Sequence, residues 1–354
     1  MRRKVLMKGN EAIGEAAIRA GCKGYFGYPI TPQSELPEYM SRRFPEAGGT
    51  FLQAESELAA INMVYGAAGA GIRVMTSSSS PGISLKQEGI SMLAGAELPA
   101  VIVNMMRGGP GIGGIQPSQA DYYQATRGGG HGDYRVLVLA PSSVQELVDL
   151  TWEAFALADQ YRNPVLILGD GMMGQMMEPV ILPDFETTEV AKPWATTGMK
   201  GGRGPNLIHT LHLPADELEE HCHTLFAKYQ QIAEQEKRAT EYFTDDAEIL
   251  VVAYGIVSRV ARAAVEQARE NGIKAGLFRP VTLWPYPDAA LLKASRTAKK
   301  VLTVEVSMGQ MVEDVRLTIN GRLPVEFYGR IGQVPTPNEI LDKIKQMAAA
   351  AEVA

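Results

Sequence analysis

Apolar, β-rich runs alternate with stretches of helical period from the N-terminus to about residue 180. That alternation is what a mostly parallel sheet with helices on both faces requires. The pattern predicts helices over 10–20, 33–44, 55–70 and 143–161, and strands over 25–28, 51–54, 73–76, 100–105, 135–139 and 164–169. The 143–161 stretch carries its apolar residues on one helical face. Beyond residue 192 the pattern changes: Gly198–Gly204 is glycine-rich and leads into a charged helical stretch with no strand in it. A second α/β set follows, with strands over 248–254, 274–279, 300–306 and 325–328 and helices over 258–271 and 288–298. The expected division is 1–195, an extended helical linker over 196–246, and a smaller α/β unit over 247–354.

Composition agrees with two packed units. At roughly 150 residues per domain, a chain of 354 residues with 45% apolar and 21% charged content is too rich in core formers to be disordered. Lys plus Arg number 34 against 40 Asp plus Glu, a formal charge of −6. No overall basic field exists to hold nucleic acid or an anionic membrane, so neither is an expected partner. The two cysteines, Cys22 and Cys222, cannot build a disulfide framework or supply the four thiolates an iron–sulfur cluster usually needs. No apolar run reaches the ~18 residues of a membrane span, and the first residues lack the features of a signal peptide. A cytoplasmic setting is expected.

In open parallel sheets ligands bind beyond the carboxyl ends of the strands. Four such places hold notable residues. Tyr28-Pro29-Ile30-Thr31-Pro32 is a stiff, extended turn, because the prolines fix φ and bias their predecessors away from helix, so it can aim the Thr31 hydroxyl. Glu55 and Glu57 sit where a strand feeds a helix. Two residues apart, about 200° around a helix, they cannot both face one pocket, and either could be an ordinary first-turn acid. The Gly66–Gly71 run of small residues would let that helix approach a neighbour closely. The serine-rich step Ser77–Gly82 follows a third strand. Arg107 opens the string Arg-Gly-Gly-Pro-Gly-Ile-Gly-Gly, which formally matches a dinucleotide fingerprint through Gly109, Gly111 and Gly114. Ile115-Gln116-Pro117 interrupts the helix such a fingerprint needs, so a ligand-approaching glycine loop with Arg107 as a fixed cation fits the same letters with fewer demands. Asp170, in Gly169-Asp170-Gly171, resembles the metal site of thiamine enzymes but lacks the asparagines that should follow. His209, His212, His221, Cys222 and His223 lie in a polar connection where adjacent positions do not face one site.

Taken together, Gly27–Pro32, Gln53-Ala54-Glu55-Ser56-Glu57 with Ala59-Ala60, Ser78–Ser84, Leu98-Pro99 through Pro110, and Gln119 through Asp133 resemble the α subunit of 2-oxoacid:ferredoxin oxidoreductases. The resemblance covers essentially the whole chain and is nearest to the 2-oxoisovalerate (3-methyl-2-oxobutanoate) branch, with 2-oxoglutarate enzymes next. It implies a pyrimidine-binding thiamine domain, a parallel sheet with helices on both faces, joined to a smaller transketolase C-terminal-like α/β domain. It also implies that a separate β subunit grips the diphosphate and Mg²⁺ of thiamine diphosphate, which accounts for the missing asparagines after Asp170. γ and ferredoxin-like δ subunits, [4Fe–4S] clusters, ferredoxin and coenzyme A complete the implied reaction, in which a branched-chain 2-oxoacid is oxidatively decarboxylated to acyl-CoA and CO₂. Residue by residue, Glu57 matches the glutamate that bonds the aminopyrimidine ring, Tyr28 and Pro29 line the cofactor, and Thr31 and Arg107 match positions that contact substrate. Glu55 has no such counterpart, and Glu305 and Gln310 are marked but unassigned. Burial and the helix N-terminus pull the Glu57 proton in opposite directions. A 2-oxoglutarate or aryl-glyoxylate enzyme, a non-catalytic assembly subunit of the same fold, and a nucleotide-dependent dehydrogenase are the alternatives.

Overall fold

The computed structural model describes residues 4–186 and 190–352. The chain opens on β1 (Lys4–Lys8), α1 (Gly9–Arg19), β2 (Gly24–Gly27), α2 (Glu35–Glu46), β3 (Thr50–Gln53), α3 (Glu57–Gly69), β4 (Val74–Ser78), α4 (Ser80–Gly95) and β5 (Ala100–Gly108). It continues through β6 (Gly114–Pro117), α5 (Tyr122–Arg127), β7 (Leu137–Leu139), α6 (Val144–Tyr161), β8 (Pro164–Asp170), α7 (Gly171–Gln175) and β9 (Met177–Ile181). A long crossing segment that includes α8 (Ala215–Gln235) leads to β10 (Ala239–Tyr242), β11 (Ile249–Val252), α9 (Gly255–Glu270), β12 (Ala275–Pro280) and β13 (Thr282–Trp284). The last elements are α10 (Asp288–Ala294), β14 (Lys300–Glu305), α11 (Met311–Ile319), β15 (Val325–Gly329) and α12 (Pro337–Glu352).

The larger sheet runs β13-β7-β8-β5-β4-β2-β3, with β6 pairing off β5. Its core ladders are parallel: β5 faces β8 from Ala100↔Pro164 to Met106↔Asp170, and β4 faces β5 from Met75↔Val101 to Ser78↔Asn104. Strands β5 and β8 are buried along almost their whole length, as expected for strands covered on both faces, and read as near-continuous Val/Ile/Leu/Met runs. A five-stranded sheet, β10-β12-β11-β14-β15, forms the second layer system, and β1 and β9 make a short antiparallel pair. The α/β, mostly parallel architecture expected from the pattern is therefore observed.

Several elements escape the pattern. Strand β13 leaves the second unit and pairs antiparallel with β7 at the edge of the first sheet. The serine-rich step Ser77–Gly82 ends β4 and begins α4, a helix missing from the expected set, with Pro81 in its first turn. In the small-residue run Gly71 gives the expected close approach, to Ala195 of the crossing segment, where a Cβ would lie 2.8 Å away, but Gly66 faces open space and does not supply the approach of α3 to α4. Gly89 of α4 does: a Cβ there would lie 2.6 Å from Ile61 on α3. Helix α8 lies within the crossing segment and buries Leu225, Tyr229 and Ile232 among residues of α6 and the first sheet. One apolar cluster runs without a break from Ile61, Val64, Ile90 and Leu93 to Leu250, Phe278 and Met311, so the two sheets share a core.

Candidate active site

The carboxyl ends of β2, β4 and β5 converge with the N-terminus of α3, and the expected residues stand on those ends. After β2 the chain turns through Tyr28, half-buried, then Pro29 and Thr31, both exposed. The turn is pinned from below: the Pro32 carbonyl accepts from Asn10 Nδ2 at 2.9 Å and from Gln175 Nε2 at 3.1 Å. A side chain leaving this turn is held by two other elements, which is what a positioned donor requires.

Ser56, not Glu55, caps α3, accepting from the Ala59 amide at 3.2 Å. Glu57 thus becomes the first helical residue and turns inward with 6% exposure, while Glu55 points to solvent. The Glu57 carboxyl lies against Gly82 in the first turn of α4, where a Cβ would come 2.6 Å from Oε1. Ser78, at the end of β4, also abuts Gly82, and its hydroxyl is buried with no hydrogen-bond partner, as is that of Ser79. Buried polar groups are seldom left unpaired unless a ligand or water meets them.

Arg107 ends β5. Its Nη1 donates to the Thr31 carbonyl at 3.0 Å and its Nη2 to the Ile112 carbonyl at 3.1 Å, while its buried Nε has no partner. The Arg107 amide donates to Ser80 Oγ at 2.9 Å, and that hydroxyl donates to Asp121 Oδ2 at 2.5 Å. Burial raises the Asp121 carboxyl, against the pull of its Ser80 and Asn104 hydrogen bonds. Ser80 and Gly82 share one helical turn, so the Glu57 and Arg107 sides of the site meet at the start of α4. Beside Thr31 a cavity of about 490 Å³ opens, lined by Pro32, Ile115, Pro117, Met172 and Met176 among others, with no Lys or Arg in its lining.

Three other sequence features take different places. The Gly109–Gly114 loop closes the β5–β6 hairpin with Ile112 82% exposed and starts no helix, so the dinucleotide reading fails. Asp170 is wholly buried, accepts from the Met172 and Met173 amides, and so caps α7; burial pushes its carboxyl up to about 6, opposed by those amides. His212 stacks on His221 with ring centroids 4.6 Å apart and lies tilted against His209 at 5.1 Å, and no group of three or more His, Cys, Asp or Glu among the described residues is placed to hold a metal ion. Glu305 caps α11 through the Met311 and Val312 amides, and Gln310 ties that helix to Ala120 and Tyr123 of the first unit. Lys86, on α4 one turn beyond Gly82, was not singled out from sequence, yet it is fully buried at 0% exposure.

A buried first-turn acid, Glu57, thus faces the glycine at position 82 beside the unpartnered hydroxyls of Ser78 and Ser79 at the carboxyl end of a parallel sheet. Residues 15–243 match the thiamine-diphosphate-binding family of pyruvate flavodoxin/ferredoxin oxidoreductases, and residues 247–340 match core domain II of pyruvate:ferredoxin oxidoreductase. The ketoisovalerate oxidoreductase subunit VorB of Methanothermobacter thermautotrophicus is 55% identical over 97% of both chains. The 2-oxoglutarate synthase subunit KorA of the same organism is 38% identical over 98% of this chain and 100% of its own. Among solved structures, the 2-oxoglutarate:ferredoxin oxidoreductase from Magnetococcus marinus, with 2-oxoglutarate, coenzyme A and succinyl-CoA bound, superposes with a TM-score of 0.88 at 26% identity. That match covers 98% of this chain and 65% of the matched chain. The chain belongs to the 2-oxoacid:ferredoxin oxidoreductase family, whose thiamine-diphosphate-binding domain it carries.

Proposed function

We propose that this chain is the α subunit of a CoA-acylating enzyme that oxidatively decarboxylates 2-oxoisovalerate to acyl-CoA and CO₂ and reduces ferredoxin. The observation that carries the reading is the Glu57 carboxyl, buried against Gly82. A flat heteroaromatic ring at this place needs an acid for its ring nitrogen, a floor free of side chains and hydroxyls still lacking partners. Glu57, Gly82 and Ser78 meet those needs, so the residues fit the pyrimidine end of thiamine diphosphate. When bound, that cofactor supplies a thiazolium carbon that adds to the 2-oxo group and accepts the electrons left as CO₂ departs.

Glu57 holds or gives up a proton at N1′ of the aminopyrimidine, Tyr28 and Pro29 border the ring, and Thr31 and Arg107 receive the substrate. The Arg107 guanidinium already spends donors on the Thr31 and Ile112 carbonyls, which fixes its plane; its remaining N–H groups suit a carboxylate. The mostly apolar cavity beside Thr31 fits a branched alkyl chain. A 2-oxoglutarate tail would place a second carboxylate among residues that include no cation, leaving that charge unpaired. This favours the branched-chain substrate, in line with the higher identity to the ketoisovalerate relative.

The two cysteines, Cys22, which is buried, and Cys222 on α8, are fewer than the four thiolates a cluster usually needs. A β subunit for the diphosphate and Mg²⁺, γ and ferredoxin-like δ subunits with [4Fe–4S] clusters, and a cytoplasmic setting belong to the same proposal. No helix among the described residues is long and apolar enough to cross a membrane. The domain division at 1–195, 196–246 and 247–354 is likewise proposed, with one correction to the strand-free linker: β10 (Ala239–Tyr242) lies within 196–246 and pairs with β12 of the second sheet. The test is anaerobic purification of the complex, with thiamine and iron counted and viologen reduction followed on a 2-oxoacid panel with coenzyme A. Turnover should be highest with 2-oxoisovalerate and lost in Glu57→Ala. Preference for 2-oxoglutarate or an aryl-glyoxylate refutes the substrate, and wild-type turnover in Glu57→Ala leaves only an assembly role.

A further inference from the structure

Lys86 is a buried cation with no place in the chemistry above. Its Nζ donates to Thr76 Oγ1 at 2.7 Å and to the Ser77 carbonyl at 3.0 Å, and both acceptors are neutral. Thr76 Oγ1 in turn donates to the Phe26 carbonyl at 2.6 Å, at the end of β2. Burial pushes the ammonium down to about 7, and the charge of Glu57 opposes that fall. Lys86 stands four residues beyond Gly82, on the same face of α4, and Gly82 is the residue the Glu57 carboxyl touches. A leucine or methionine here would fill the space without the desolvation penalty of an ammonium, so the charge itself calls for a use. The surrounding elements present Glu57 from α3, the neutral Thr76 and Ser77 from β4, and from β2 the Tyr25 hydroxyl, which reaches Ser77 Oγ at 2.6 Å and which burial holds in its neutral form.

We propose that Lys86 is a positioning residue for the Glu57 proton: across the Gly82 turn its ammonium favours the ionised carboxyl, so the shared proton rests on N1′ of the bound aminopyrimidine. This rests on the reading that Glu57 meets that ring. It adds the element that decides where the proton sits. No bond other than O–H and N–H is made or broken, and the proton that leaves the carboxyl is the one the ring nitrogen gains. Lys86 touches neither ring nor substrate; it acts through Glu57.

The test uses the purified complex carrying thiamine diphosphate, moved into D₂O and quenched in acid, with deuterium at the thiazolium C2 read by proton NMR. Lys86→Gln keeps a donor for Thr76 and loses the charge. It should slow exchange at least tenfold at pH 7 while cofactor content per complex stays unchanged, and it should cause no further slowing on a Glu57→Gln background. A second readout needs no cofactor: the infrared difference between Lys86→Gln and wild type should show a protonated carboxyl band that is absent on the Glu57→Gln background. Wild-type exchange in Lys86→Gln, or slowing that persists in full on the Glu57→Gln background, overturns the proposal and leaves Lys86 a structural tether. If Lys86→Gln does not fold, Lys86→Met carries the same comparisons. Wild-type exchange in Glu57→Gln would instead remove the reading beneath it, which separates the two failures.

Discussion

Arg107 Nη1 donates to the Thr31 carbonyl at 3.0 Å, joining the end of β5 to the turn after β2 across 76 residues of sequence. The bond ties the Arg107 side chain to the main chain of Thr31, so the two residues proposed to receive the 2-oxoacid share one anchored turn. An ammonium cannot replace this guanidinium, since it lacks the planar fork that serves the Thr31 and Ile112 carbonyls and still faces a carboxylate. Arg107→Lys should lower kcat/KM for the 2-oxoacid by ~100-fold, the loss of about one charge-assisted pair, or ~3 kcal/mol. Thiamine content and thermal midpoint should stay at wild-type values. Unchanged kcat/KM would take Arg107 out of substrate binding.

Gly82 offers a test in which stability and function move in opposite directions. A Cβ at this position would come 2.6 Å from Glu57 Oε1, so Gly82→Ala must displace the carboxyl. The same change favours the helical backbone by up to ~1 kcal/mol. The neighbouring Ser78 hydroxyl has no partner to lose when it rotates aside. The expected outcome is a thermal midpoint equal to or above wild type with turnover down more than tenfold and weaker retention of thiamine diphosphate. Full turnover in Gly82→Ala would mean that the Glu57 carboxyl does not need the place it occupies.

The pattern of residues reveals the interior strands of the first sheet because β5 and β8 are covered on both faces and their apolar runs are local facts of sequence. Strand β13 is different: three residues become a strand only because β7, far upstream, offers a free edge. Strand β9 contains Pro179 and pairs only with β1, so local propensity argues against it. Helix α4 begins with Ser-Pro-Gly-Ile-Ser, letters that read as a loop until Gly89 is seen to accept Ile61 of α3. The same separation governs the site. Glu57 at a strand-to-helix junction is visible in sequence, but which of Glu55 and Glu57 turns inward is settled by the Ser56 cap. The burial of Lys86 depends on α3 and β4 closing over it, and the linear pattern carries no sign of that.

Asp170 carries a pH signature that can be read without any cofactor. Burial raises its carboxyl from 3.8 to about 6, against the Met173 and Met172 amides that lower it. In the unfolded chain it ionises near its ordinary value, so between about pH 4 and 6 the folded chain holds a proton that the unfolded chain has released. Stability from this group is therefore full below about pH 4 and declines as pH rises through 6. The total is at most ~3 kcal/mol, from roughly two units at 1.36 kcal/mol each. Asp170→Asn keeps an oxygen to accept from the same amides and does not titrate. The difference in thermal midpoint, variant minus wild type, should grow as pH rises from 4 to 6 and then level off. A flat difference would show that Asp170 ionises at the same pH folded and unfolded.

Gln119 joins the two sheets. Its amide donates to the Val306 carbonyl at 2.8 Å, its Oε1 accepts from the Val306 amide at 2.9 Å, and its Nε2 donates to the Tyr254 carbonyl at 2.9 Å. Val306 follows β14 and Tyr254 follows β11, so one side chain spans the carboxyl ends of two strands of the second sheet from the first unit. Gln119→Leu keeps the volume but leaves the Val306 amide and the Nε2 bond to the Tyr254 carbonyl without replacement in a site only 1% exposed. At ~1–3 kcal/mol for each of the two buried groups orphaned, the variant should lose ~2–6 kcal/mol. The loss should be local: hydrogen exchange should quicken at Val306 and in the first turn of α9, while the amides of β5 and β8 keep their protection. Uniform loss of protection through both sheets would show instead that the units open together and that Gln119 does not set a separate boundary between them.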